Sequence, residues 1–540
     1  MGEQVRLLCY TQACFDARTP KDKTELDMRL RDRFDRSKRT PSTRKQRTGF
    51  ALFWLIVLAY AYFISSLPNS NSESHLYMAA GVVDHHTLSI DAYHQRLDDE
   101  SLLTGHYYSD KAPGLSLLAI PVYGALRMFF PSHKIRQYEA SGQTQPAIPR
   151  DTVYLRYAIT YLLVILPSAA LAVLLWLFLI RFVTSGWAVL VTMAYSLGTL
   201  AYPYSSWFLS HQFAAVLLFC SFLLLFTHVR DHTPSNQALK LTALAGLLAG
   251  YAVICEFPTA VIAGLLAIYL CVVAQDRVRS VAAFACGAAP AAGLNLVYSL
   301  AAFGKPFATG YMYVHSTMYH SHISGTTLGL ANPLSYGIQT PSLNSLWQIT
   351  FGTYRGLFVV SPVLLLFFVG LGFMWRHRSL RAELALCAAV VLMYFLMDAS
   401  RGIDQNGWAG GWSVASRHLT PMLPFMVVPI AFGLRSLMFR VAFLAMGTLS
   451  VGIMFLTMAA TGGGFDFSDD NPLLNEVLPQ LVHGKIVANW GFILGLTGYA
   501  SLGPLLVVGG ILVARLLWLI RVAPGRVSVQ PACELQLEAS

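Results

Sequence analysis

The segment TGHYYSDKAPGLSLLAIP, Thr104–Pro121, sets Tyr107, Tyr108, Asp110 and Lys111 directly before a Pro-Gly step and an apolar run. A carboxylate can accept a proton and an ammonium can hold an anion. The same pair also makes an ordinary solvated turn. Arg355 and Arg417-His418 stand where other apolar segments begin. A guanidinium there can grip a phosphate through two parallel N–H bonds, or it can anchor a helix end by snorkelling. His211 follows Ser210 at a further such start. An imidazole in that position can orient a substrate, ligate a divalent ion, or rest satisfied at an interface. Glu256 lies between two apolar runs. An ionisable group at that depth marks a cavity by default, with a helix cap as the bland alternative. His315, His320 and His322, in MYVHSTMYHSHISG, are too loosely spaced for a metal site and read as an outer loop.

These residues must be positioned by very apolar elements. The chain has 540 residues, 55% of them hydrophobic and 12% charged, where soluble domains carry about 25% charge. Apolar stretches long enough to cross a hydrocarbon core of about 30 Å recur along it. Continuous rather than alternating runs exclude a β-barrel. The fold class is therefore an all-α polytopic membrane protein. Spans are expected at Gly49–Leu67, Tyr154–Phe182, Trp187–Phe208, His211–Val229, Leu241–Ile254, Pro258–Ala274 and Val281–Ala302, then at Leu357–Trp375, Leu384–Met397, Leu419–Leu434, Val441–Thr461 and Ser501–Ile520. That makes about 12 transmembrane helices.

Charge orients them. Net charge is +10, and the basic residues flank apolar runs without aromatic interleaving, which argues against nucleic-acid binding. Arg181, Arg230, Lys240, Arg277, Arg279, Arg376, Arg378, Arg381, Arg435, Arg440, Arg515, Arg521 and Arg526 fall in the turns on one side. Glu73, Asp84, Asp91, Asp98, Asp99, Glu100, Asp110, Asp398, Asp404, Asp466, Asp469 and Asp470 fall on the other. The positive-inside rule puts the basic turns, and both termini, in the cytosol. Residues 1–48 then form a basic tail expected to be disordered. Residues 49–525 form one membrane domain, and 526–540 a cytosolic C-terminal tail. The outer loops are 68–151, which is the longest, with 303–355 and 398–418. Within the first, Leu76, Ala79, Ala80 and Val83 recur at helical spacing, so Ser72–Val83 is expected as a helix lying on the outer membrane surface. Leu115–Phe130, short and interrupted by Pro121, is expected as a second interfacial helix. The eight cysteines, with no CxxC spacing, read as packing residues rather than a disulfide framework or zinc site.

Four segments in order carry a resemblance. NSESHLY with TLSIDAY and YYSDKAPGLSLLAIP, then PYSSWFLSHQF (Pro203–Phe213), TYRGLFVVSPVLLL (Thr353–Leu366) and GGWSVASRHLTPMLPF (Gly410–Phe425), resemble the membrane-embedded GT-C glycosyltransferases. The likeness is to the branch of protein O-mannosyltransferases and the lipid A aminoarabinose transferase, in their bacterial form. The resemblance implies a polyprenyl-phosphate sugar as donor, an outer-loop carboxylate as base, and outer cations that offset charge on the departing phosphate. Carried over, it makes Asp91, Asp110 and Glu73 the catalytic candidates. Family members commonly have an Asp-Glu pair where this chain has Ser72-Glu73. Lys111, Arg355 and Arg417 become phosphate candidates, with His211, Glu256 and His418 around the substrate. Tyr107, Tyr108, Trp408 and Trp412 suit stacking on sugar, and also suit any membrane interface.

The resemblance further implies an inner-membrane enzyme in contact with lipid, an acceptor that is a glycan, lipid or protein, and room for a divalent cation. Two rivals remain. A secondary transporter of about 12 spans predicts mid-membrane charges and short loops. A non-catalytic membrane scaffold predicts that the outer acids and arginines can be replaced without loss.

Overall fold

The computed structural model describes residues 43–64, 70–94, 97, 99–129, 150–230, 235–315, 340–401, 409–465 and 470–521. The expectations for the tails before 43 and after 521, and for Cys9, Cys14, Asp98, His320, His322, Asp404, Trp408, Asp466, Asp469 and Cys533, lie outside the described residues.

Helix dominates, at 77% of the described residues. Among the described residues, seven helices are long and apolar enough to cross a membrane: Val153–Leu179, Ser210–His228, Asn236–Cys255, Arg277–Phe303, Arg378–Ala399, Leu437–Thr461 and Gly498–Arg521. Shorter apolar helices cover Gly114–Met128, Phe257–Val273 and Pro362–Trp375, and a further helix spans 43–62. The chain is thus an all-α polytopic membrane protein, as its composition requires. Helix starts follow local chemistry. Ser235 and Asp276 each accept a backbone N–H three residues on, from Ala238 and Arg279, which satisfies an orphan donor of the first turn. At the far ends Gly304 and Gly462 adopt φ of +68° and +67°, the left-handed cap that glycine provides without strain.

Two expected spans are interrupted. Leu357–Trp375 resolves into a turn of helix at Leu357–Val360, a tighter turn at Pro362–Leu365 and a helix at Leu366–Trp375. Pro362 lacks the N–H that would carry the helix through. Trp187–Phe208 stops at Gly198, with a short helix at Ala201–Ser205 beyond it.

The described residues of 70–129, expected as an outer loop, fold around a hydrophobic cluster that they share with Leu155, Phe208, Cys255 and Tyr298. Strands β1 (Glu100–Leu103) and β2 (His106–Ser109) form a hairpin, and β3 (Val314–His315) joins β1 on its other side. The register pairs Glu100 with Ser109 and Leu103 with His106, and Glu100 with His315 across the second seam. Thr104 and Gly105 make the turn, both with positive φ, as a tight two-residue hairpin loop demands. Beside the sheet, Ser70–His85 packs on Gly114–Phe129. Arg127 Nε bridges Asp84 Oδ1 at 2.8 Å and Tyr123 donates to Asp84 Oδ2 at 2.5 Å. Tyr77 stacks on Tyr93 with centroids 4.9 Å apart, an arrangement contributing about 0.5–1.5 kcal/mol beyond its buried area.

The expectation of a surface-lying helix at Ser72–Val83 is corrected. Asn71–Gly81 is buried on every face. Its polar residues meet protein partners instead of water: Glu73 meets Arg156, Ser74 meets Ser109, and His75 meets Ser116. A buried polar face is stable only when satisfied in this way.

Candidate functional site

The Asp110-Lys111 knot leaves β2 and enters the Gly114–Phe129 helix buried, with Asp110 4% and Lys111 8% exposed. Lys111 Nζ lies 2.8 Å from Asp110 Oδ2 and 3.3 Å from Asp99 Oδ2. Ser74 Oγ reaches Asp110 Oδ1 at 3.4 Å and Ser109 Oγ at 2.8 Å. One ammonium is thereby shared by two carboxylates, with the Ser70–His85 helix as backing. Burial pushes the Asp110 carboxyl above its ordinary value, with Lys111 pulling it down and Asp99 pushing it up. Burial works against the Lys111 charge, yet the two carboxylates hold its pKa above the ordinary value.

Two glycines bring this knot onto its neighbours. A Cβ on Gly114 would stand 2.7 Å from Cys255 Sγ and 2.8 Å from the Cys255 nitrogen. A Cβ on Gly310 would stand 2.5 Å from Asp110 Cα. Neither contact leaves room for a side chain. The first close approach sets the knot beside the break between two helices, where Glu256 has the extended backbone of φ −154° and ψ 98°. Pro258 follows two residues later in the tight Phe257–Thr259 turn.

Glu256 faces the start of the Ser210–His228 helix. Ser210 donates to Glu256 Oε2 at 2.7 Å, and His211 Nδ1 lies 3.1 Å from the same oxygen. Burial raises the Glu256 carboxyl, but His211, Ser210 and the Arg401 charge outweigh it and hold the pKa at about 2. The His211 and His418 rings meet edge to face, 5.2 Å apart at 89°. His418 sits beside Arg417 in the Arg417–Met422 turn. Asp398, fully buried at the end of the Arg381–Ala399 helix, lies 3.8 Å from Arg401 Nε.

These parts form one electrostatic unit. Lys111 feels the charge of Arg417 as well as Asp110, and His418 feels Arg401, His211, Arg417 and Lys111. The Tyr311 phenol feels the charges of Glu256, Lys111, Asp110 and Arg401. His75 belongs to the same group: burial first, then the Lys111 charge, lowers its pKa to about 3. It is a neutral imidazole at physiological pH. Among the described residues, several buried atoms here make no aligned hydrogen bond: both ring nitrogens of His211, His418 Nδ1, Arg417 Nε and both oxygens of Asp398. Polar atoms left so in a dry setting are costly, and they cluster where a ligand is held.

The structure thus brings together Asp110, Lys111, His211, Glu256, Arg417 and His418, which are remote in sequence. It sets the other candidates apart. Asp91 lies outside the cluster, its side chain 39% exposed, accepting from the Tyr107 amide at 2.6 Å and contacting His106 Nδ1 at 2.8 Å. Burial raises its carboxyl, but the Tyr107 amide and His106 hold it below its ordinary value. Tyr107 stacks on His94 at 3.9 Å, and Tyr108 meets Phe303 edge-on. Glu73 is buried against Arg156 at 3.2 Å, beside a small cleft lined by Ser72, Arg156, Tyr157, Thr160, Ser206, Trp207 and Phe208. Arg355 is fully buried over the Tyr354 ring at 3.9 Å and donates to the Tyr354 and Phe465 carbonyls. It ties two loops together. Trp412 is partly exposed, and His315 is taken up in β3.

Sequence reasoning missed Ser74, His75, Asp99, Tyr311 and the Asp398–Arg401 pair as members of the cluster. The pair carries a weak signal, an acid and an arginine at i, i+3 at a helix end. His75 was obscured by the acid two residues before it. A comparison of the chain with models of known protein families and with curated proteins finds no match.

Proposed function

We propose that this chain is a GT-C-type glycosyltransferase that moves a sugar from a polyprenyl-phosphate carrier to an acceptor outside the cytoplasm. One observation carries the reading. Four separate stretches deliver a buried carboxylate–ammonium pair, an acid–imidazole pair and an arginine to one cluster at helix ends. That set meets the two demands of the reaction: a base for a hydroxyl, and cations for a departing phosphate.

In this reading the acceptor oxygen attacks the anomeric carbon, and the bond from that carbon to the phosphate oxygen breaks. The phosphate leaves on its lipid. The hydroxyl proton passes to Asp110, whose raised pKa suits it to hold a proton. Arg417 and Lys111 offset the phosphate charge, with His75 and His211 as neutral donors or acceptors beside it. Asp91 and Glu73 hold elements in place, and Arg355 braces the loops around the site.

The topology that goes with it has about 12 crossings, with the seven long apolar helices joined by 43–62 and the shorter or broken segments. Both termini are cytosolic and the membrane is the bacterial inner membrane. The membrane-lying lipid donor is the principal partner. A transporter fits less well, because Glu256 and Asp398 sit at helix ends rather than mid-helix.

The test is donor consumption by protein reconstituted in lipid, against a panel of radiolabelled polyprenyl-phosphate sugars. Turnover of one donor that Asp110→Asn abolishes supports the reading. Neither binding nor turnover of any donor, with solute movement across the bilayer instead, removes it in favour of transport.

A further inference from the structure

We infer that His211, Glu256 and His418 form a binding site for a zinc-class divalent ion. One ligand atom from each lies within 4.8 Å of the other two. In a tetrahedral site with bonds of about 2.0–2.2 Å, donors stand about 3.4 Å apart. Small side-chain rotations close that gap. The three come from three rigid places: the first turn of the Ser210–His228 helix, the break after Cys255, and the Arg417–Met422 turn.

The plain alternative is a hydrogen-bonded His–Glu pair. It requires an imidazole N–H aimed at the carboxylate. His211 Nδ1 stands 3.1 Å from Glu256 Oε2 without the alignment of a hydrogen bond, and Nε2 has no partner either. His211 is 2% exposed, so water does not satisfy these atoms from outside. His418 Nδ1 is likewise without a hydrogen bond among the described residues. A metal ion takes the lone pair of one nitrogen on each imidazole together with the carboxylate, and the other His211 nitrogen then carries its N–H. Ser210, donating to Glu256 Oε2 at 2.7 Å, supplies the outer contact that fixes a ligating carboxylate.

The donor set selects the ion. Two imidazoles and one carboxylate suit zinc or a neighbouring transition metal, while magnesium and calcium ask for oxygen ligands throughout. Arg417 and Arg401 work against a cation here; Glu256 and Asp398 offset them. Three protein ligands leave a coordination position open. Next to Arg417 and Lys111, that position fits a phosphate oxygen. This last role rests on the transferase reading, whereas the metal site does not.

The experiment uses the full chain in lipid nanodiscs. The protein is loaded with Co2+ or Zn2+, desalted, and measured for metal content by mass spectrometry and for Co2+ visible absorption. The expected result is about one ion per chain, with the intense bands of a low-coordinate nitrogen-ligated Co2+ site. His211→Ala, Glu256→Gln and His418→Ala lose the ion. Ser210→Ala weakens it by about tenfold. Asp91→Asn keeps it, and thermal unfolding with size-exclusion profiles confirms that each variant is folded. Wild type without bound metal, Co2+ bands of six-coordinate water type, or retention by the folded ligand variants overturns the site. Metal binding without donor turnover leaves the site standing and removes the transferase reading. Turnover by protein that binds no metal does the reverse.

Discussion

Asp91 and Asp110 flank the same strand, β2, yet they sit in opposite surroundings. Asp91 lies beside β2's first residues, partly in solvent, with its oxygens taken by the Tyr107 amide and His106. Asp110 lies past the other end of β2, buried, sharing Lys111 with Asp99. The first environment stabilises charge, and the pKa falls. The second penalises charge, and the pKa rises. A fully hydrogen-bonded acid fixes a turn. A buried acid among unmatched charges is able to exchange a proton. Glu73, paired with Arg156, belongs with Asp91 despite being buried.

The comparison can be broken at its structural side first. Arg156→Met removes the cation 3.2 Å from the buried Glu73 carboxylate and should lower stability by about 3–5 kcal/mol, read by thermal unfolding in detergent. A change below 1 kcal/mol would mean that Glu73 is not held as described. On the chemical side, Arg417→Met should cut donor turnover by about 10²–10³, the cost of losing one preorganised charge stabiliser. Arg417→Lys should recover only part, because an ammonium lacks the paired N–H geometry.

Lys111→Met sharpens the contrast through pH. If Asp110 is the base, activity appears as pH rises through its pKa, which lies above the ordinary 3.8. Lys111 pulls that pKa down. Its removal should therefore move the acid limb of kcat/KM to higher pH. A limb that stays in place would detach Asp110 from it.

The smallest effect belongs to Asp91. Asp91→Asn should cost at most about 1 kcal/mol, since a half-exposed ionic contact is screened by solvent. Its depressed pKa gives stability that is complete above its unfolded value and lost as pH falls through the lower folded one. Protection of the Tyr107 amide against hydrogen exchange should fall in wild type as pH drops through the depressed Asp91 pKa, and should show no such pH step in the variant.

How much of this was legible in the chain depends on the range of the forces involved. Leu437–Thr461 and Ser210–His228 are within a few residues of expectation, because hydrophobic length and flanking charge are local signals. Leu357–Trp375 looked continuous because hydropathy is blind to the missing N–H of Pro362. The Ser70–His85 helix has an amphipathic pattern, but what satisfies its polar face comes from Arg156, Ser109 and Ser116. No local window contains those partners. The same holds for the site. Glu256, His211 and Arg417 each stand out as charges or rings at helix ends, while their convergence follows from tertiary contacts such as Gly114 on Cys255.

The most direct test sets Asp110→Asn beside Asp91→Asn in one reconstituted assay of polyprenyl-phosphate-sugar consumption, with folding checked for both. The account predicts a fall of about 10²–10⁴ for Asp110→Asn and near wild-type turnover for Asp91→Asn. Full activity in Asp110→Asn, or loss confined to Asp91→Asn, would contradict it.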